Sequence, residues 1–441
     1  MRTLVAIGAV LLAVGSSLTA QEFTTLKGHG GPVMGLAVHP QTGQVATSSF
    51  DNSVGLWAER RPTWLEGHEA AVVSVEFVNE ALAVSGGDDF NVILWSLKDG
   101  NSTRFEGHKG KIASLAVSPD KQRIASASWD GSIGLWLLDG TPPQFLKAHN
   151  SGVSDVAFSS DGRRLYSSSA DGTIRLWQLE KPDDAPRVLV NQGFGVNQLV
   201  LAPDESWLAY GAVDGVTRVV DPQSGETLHD FTLDRRPVLA MALHRQTNQL
   251  AIGDGHGFIM MVDTVEWRIT RDFRAMRNGP VWALDFSPDG TLIYAGGIED
   301  LAFAWPVALL DEFDPVGGQQ RSFLRDPEAM PNGERQFMRK CSICHALTPP
   351  PSRKAGPTLH EVFGRRAGVV PNYPYSDTLD ASDIVWSDET IDALFDIGPD
   401  HFIPGSKMPM QRITKEQDRK DLVEFLREAS RGAPVEREEG E

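Results

Sequence analysis

Asp130-Gly131-Ser132-Ile133-Gly134-Leu135-Trp136 is the stretch from which the architecture of this chain can be read. An acidic turn pair runs into alternating apolar positions and stops on tryptophan, the pattern of a tight turn feeding a strand. The same interval of six residues separates Asp51 from Trp57, Asp89 from Trp95 and Asp171 from Trp177. Each tryptophan follows a leucine, at Leu56, Leu94, Leu135 and Leu176, so the period is close to 40. Gly28-His29, Gly67-His68 and Gly107-His108 open these units, and Ala148-His149 is a weaker fourth copy.

Three more units keep the period with eroded signatures. Asp214-Gly215 leads to Val219-Val220-Asp221, Asp254-Gly255 to Met261-Val262-Asp263, and Glu299-Asp300 to Ala304-Trp305. Phe158-Ser159-Ser160-Asp161-Gly162, Leu201-Ala202-Pro203-Asp204 and Phe286-Ser287-Pro288-Asp289-Gly290 mark hairpins between the first two strands of a unit. These repeats resemble the WD40 family, and seven of them imply an all-β, seven-bladed propeller over residues 22–306. The resemblance implies a hydrogen-bonded set inside a blade: His68, Ser85, Asp89 and Trp95, with His29, Asp51 and Trp57 or His108, Asp130 and Trp136 as others. Histidines that recur once per blade around a ring are structural in this reading and not a metal site. Thr24-Thr25-Leu26-Lys27-Gly28-His29 repeats the phrase Thr63-Trp64-Leu65-Glu66-Gly67-His68, and nothing after Pro306 does. The N-terminal strand is therefore expected to complete the last blade and remove an open sheet edge.

Both cysteines of the 441-residue chain lie in Cys341-Ser342-Ile343-Cys344-His345. This spacing lets two thiols bond covalently to one haem while the next imidazole reaches its iron. A zinc site would need two further ligands at motif spacing, and a thioredoxin-like pair a βαβ context; neither pattern is present. Gly333 and Phe337 precede Cys341 at helical spacing, and Leu422, Phe425 and Leu426 lie on one face of a last helix from about 414 to 429, so the two helices are expected to pack.

Between them stand Ala355-Gly356-Pro357, Gly364-Arg365-Arg366-Ala367-Gly368, Tyr375-Ser376, Trp386 and Ile403-Pro404-Gly405-Ser406-Lys407-Met408. With these landmarks in order, residues 330–430 are similar to class I, mitochondrial-type cytochrome c, an all-α domain. The resemblance implies thioether bonds from Cys341 and Cys344 to one haem c, His345 and Met408 as axial iron ligands, and the Pro357 carbonyl as acceptor for the imidazole. It also implies that Arg365, Tyr375, Ser376 and Trp386 contact the haem propionates. Met410 competes with Met408 two residues on, and the phrase match selects Met408; His360 and His401 stand away from the ligand positions. Leu379 replaces a polar residue near a propionate, Leu394-Phe395 offers no tyrosine to the methionine sulfur, and one extra residue lies between Trp386 and Met408. These departures bear on the tuning of the potential and not on haem attachment.

The remaining segments follow from composition. Residues 1–20 read as a secretory signal peptide, with Leu4 to Val14 as its apolar core and small residues before a cut after Ala20. No later segment is apolar enough to cross a membrane, so the mature chain is expected in the periplasm or otherwise exported. Residues 307–329, rich in Pro, Gly and acidic residues, read as a linker, and 431–441 as an acidic disordered tail. A net charge of -18 argues against nucleic acid. The resembled family docks through a ring of lysines around the haem edge, whereas this domain has Asp388, Glu389, Asp392, Asp396 and Asp400 among few lysines, which implies redox protein partners other than those of a basic cytochrome. The whole reads as an exported single-electron carrier whose propeller docks a protein partner, not a substrate-converting enzyme. The competing reading is a propeller oxidoreductase with a second cofactor, drained by the cytochrome domain.

Overall fold

The computed structural model describes residues 24–310 and 331–431, apart from 59, 233–236, 277, 343, 352–353, 405–407 and 409–411. The leader, most of the linker, Met410 and the acidic tail lie outside these residues. Seven four-stranded antiparallel sheets form the first part. Six are continuous in sequence, over 33–66, 72–105, 112–147, 153–191, 196–230 and 238–274. The seventh takes three strands from 281–306 and its outermost from Thr24–Lys27. Thr24 pairs with Ala304 and Lys27 with Leu301, so the ring closes as its repeated phrase implied. These sheets are numbered blades 1 to 7 in that order.

The inner strands line a channel of about 1300 Å³. Two carboxylates on the innermost strands tie the blades together. Asp155 of blade 4 accepts from Ser114 of blade 3 at 2.6 Å and from the Leu199 amide of blade 5 at 2.9 Å. Asp285 of blade 7 accepts from the Val38 amide of blade 1 at 2.7 Å, across the seam of the ring. Each links neighbouring blades through hydrogen bonds to a carboxylate.

The implied blade networks are present. In blade 2 the Trp95 indole donates to Ser85 Oγ at 2.7 Å, Ser85 lies 2.7 Å from His68 Nε2, and Nδ1 lies 3.0 Å from Asp89. Since the carboxylate can only accept, Nδ1 carries the proton and the serine hydroxyl donates to Nε2. Thr47 takes the serine's place in blade 1 and Ser126 in blade 3. Blade 4 has the full set, His149, Ser167, Asp171 and Trp177, although its opening pair is Ala-His. Blade 5 has no histidine or tryptophan at the network positions; there Gln192 accepts instead from Tyr210 at 3.1 Å and Arg218 at 3.0 Å.

The second part contains helices α1 (Asn332–Lys340), α2 (Asp377–Asp380), α3 (Asp388–Ile397), α4 (Pro399–Phe402) and α5 (Glu416–Ala429). α1 crosses α5 where Gly333 meets the Asp421 carbonyl, and a Cβ at 333 would overlap that backbone. The crossing brings the Phe337 and Phe425 rings to 5.4 Å and buries Leu422 and Leu426, joining the faces that helical spacing had paired. α3 begins at a capping box between Ser387 and Thr390. No helix among the described residues is long and apolar enough to cross a membrane.

Candidate functional site

Cys341, Cys344 and His345 occupy one turn that continues α1. The amides of Cys344 and His345 both donate to the Cys341 carbonyl, at 3.0 and 2.8 Å, which turns the three side chains toward one cavity. That cavity is about 350 Å³ and mostly apolar, with Leu359, Leu379, Ile391, Leu394 and Phe395 in its wall. Met408 lies on it as well. Arg365, Tyr375, Ser376 and Trp386 also border it, so every residue singled out in the sequence for this site is gathered around the same space. Pro357 lines it too, from a loop held by the Gly356 amide donating to the Cys344 carbonyl at 2.6 Å.

His345 Nδ1 donates to the Pro357 carbonyl at 2.8 Å. The oxygen cannot donate, so the tautomer is settled and Nε2 keeps its lone pair. Burial holds the imidazole below the ordinary histidine range, against the Pro357 bond and together with the charges of Arg365 and Lys354. It is therefore a neutral ring with a free nitrogen acceptor, the state a metal ligand requires. Burial, with the neighbouring Cys344 adding to it, pushes the Cys341 thiol up to about 12. Cys344 is raised by burial as well.

The polar residues divide by what they bond. Arg365 donates to the carbonyls of His360 and Thr358, both at 2.6 Å, so its position is fixed by backbone. Ser376 Oγ is buried without a partner among the described residues, and Ser376 borders the cavity. Tyr373, which the sequence reading passed over, donates to the Ala355 carbonyl at 2.6 Å and packs on Tyr375 at 4.7 Å. Its only sequence signal was a second tyrosine two residues before Tyr375. The acidic residues that set this domain apart from a lysine-ringed cytochrome are partly engaged internally: Arg419 pairs with Asp392 at 2.8 Å and Asp396 at 3.1 Å, and Arg427 pairs with Asp388.

These residues fit a covalently attached haem. Two thiols and a neutral imidazole share one turn, the wall is apolar, and an unpartnered hydroxyl is buried on it. The sequence comparisons agree with this geometry. Residues 331–430 match the cytochrome c family, and the WD domain, G-beta repeat family matches at 20–58, 60–96, 101–136, 140–178 and 267–302. Cytochrome c of Theileria parva is 42% identical over 98 residues, which cover 84% of that protein and 22% of this chain. Cytochrome c of Sesamum indicum is 36% identical over 106 residues, 93% of that protein and 24% of this chain.

The chain therefore belongs to the cytochrome c family through its second part, behind a seven-bladed WD40 propeller. A cytochrome c domain implies a covalently bound haem c and points to electron transfer, and the WD40 repeats point to protein interaction. Blade 5 and most of blade 6 lie outside the matched repeats yet fold as full blades.

Proposed function

We propose that this protein is an exported monohaem cytochrome in which a class I cytochrome domain passes single electrons and the propeller docks the redox partner. Cys341 and Cys344 would hold the haem by thioether bonds, with His345 Nε2 and the Met408 sulfur on the two axial sides. Haem ligated in this way supplies a one-electron couple, and a methionine thioether favours its reduced state. The observation that carries the reading is the His345–Pro357 bond, which presents a neutral Nε2 beside the cysteine pair. The apolar wall excludes water, and Ser376 offers a donor for a buried anionic group. With both axial positions taken by protein, no position remains for substrate, so the domain acts as a relay and not an enzyme.

The deciding experiment is an optical spectrum with iron analysis of the full chain matured in a host that assembles c-type cytochromes. One haem per chain with a low-spin, methionine-ligated spectrum is expected. A second chromophore would replace this reading with a propeller oxidoreductase. Export rests on the leader at 1–20, and N-terminal sequencing of the periplasmic protein should begin at Gln21.

A further inference from the structure

The cavity beside Cys341 is not walled by the cytochrome domain alone. Phe50, Asn52, Glu69, Ala71 and Asp88, from turns of blades 1 and 2, form part of its lining. All belong to the propeller face that carries the acidic turns at Asp51 and Asp89. From the cytochrome domain, Lys354 is partly buried and feels the charges of Asp300 in blade 7 and Asp51 in blade 1. Asn52, Asp88 and Ser376 all border the shared space, and Asn52 Oδ1, Asp88 Oδ1 and Ser376 Oγ are buried without a partner among the described residues. Buried polar atoms from two domains converging on one cavity are costly unless the domains meet there around a common occupant.

We propose that the propeller is a lid on the haem cleft: its blade 1 and blade 2 turns dock on the chain's own cytochrome domain, steered by Lys354, and Asp88 sets the charge beside the prosthetic group. This rests on the haem reading above. Two consequences are distinct. The docked propeller shields the cleft from solvent, and a carboxylate held there favours the oxidised, more positive state of the couple and lowers its potential.

The test uses the full-length holoprotein. Hydrogen exchange of segments 50–52 and 69–71 is compared in wild type, Lys354→Glu, and Lys354→Glu combined with Asp300→Lys. Lys354→Glu should speed exchange there at least about tenfold, as expected for local opening, and enlarge the scattering radius of gyration; the charge swap should restore both. A redox titration of Asp88→Asn should give a midpoint potential above that of wild type. Unchanged exchange and radius in Lys354→Glu would overturn the docking, and an unmoved potential in Asp88→Asn would overturn the electrostatic role. A chain without covalent haem would defeat the functional reading, while exchange and scattering would still judge the contact.

Discussion

His345 Nδ1 and the Pro357 carbonyl oxygen are 2.8 Å apart, so the orientation of the one histidine in the cysteine turn is set by the backbone of a separate loop. Gly356, the residue before that carbonyl, packs directly on the imidazole, and a Cβ there would overlap His345 Cε1 and Nδ1. Gly356→Ala is therefore expected to tilt the ring at a cost of about 1 to 3 kcal/mol from overpacking. Lower haem incorporation and a shifted axial-ligand spectrum, with the propeller's melting unchanged, would report it.

Met408 borders the cavity, whereas Met410 lies outside the described residues. Met408→Ala should abolish the weak sulfur-to-iron band at the red end of the oxidised spectrum, and Met410→Ala should leave it. The reverse pattern would move the ligand to Met410.

The channel carboxylates give the propeller a pH dependence of definite sign. Burial, then the charges of Asp285 and Asp155, push Glu76 up to about 8, with Lys121 opposing. Burial pushes Asp155 and Asp285 up to about 6 against their hydrogen bonds. The folded state thus keeps protons that the unfolded chain has released, and stability falls as pH rises from about 4 through about 8. On the acid side Asp130 is held down to about 2 by hydrogen bonds from Ser132, Lys109 and His108, which outweigh its burial. Its contribution is present above pH 4 and lost as pH falls toward 2. Wild type should melt lower at pH 8.5 than at pH 5, and Glu76→Gln should narrow that gap; an equal gap in the variant would count against this account.

Ser85 is shared by two groups, Trp95 Nε1 and His68 Nε2, both at 2.7 Å. Ser85→Ala strands both in a fully buried position. A loss of about 2 kcal/mol or more is expected in denaturant unfolding of the propeller, with no change in the haem spectrum.

Leu26 is 2% exposed in the strand that completes blade 7. Leu26→Ala should cost about 2 to 5 kcal/mol and open that blade before the others, visible as early exchange of the 301–304 amides.

The blades were legible where the chemistry repeats. His68, Asp89 and Trp95 recur at fixed spacing because each blade must satisfy the same buried indole, so the sequence carries the same signal several times. Where Gln192, Tyr210 and Arg218 do that work, periodicity alone marked the blade. The grouping of Cys341, Cys344, His345 and Met408 around one cavity was legible for a different reason: these residues lie within one contiguous segment of about 70 residues. The propeller side of the cleft was not. Phe50, Asn52 and Asp88 flank the repeat turns at Asp51 and Asp89, and nothing in those turns tells that they border the cavity beside Cys341, where the two parts of the chain meet. Glu76 and Asp155 read as ordinary acidic residues among strands, and it is the closed channel that shifts their protonation.

The pairing of Thr24–Lys27 with 301–304 also dictates an order of events during synthesis. These strands are separated by nearly the whole propeller, and such long-range pairing is slow because the intervening chain must be ordered first. The growing ring therefore keeps an unpaired edge until residue 304 has emerged. The haem-binding segment follows about 40 residues later, so the ring can latch just before the cysteines become available for modification.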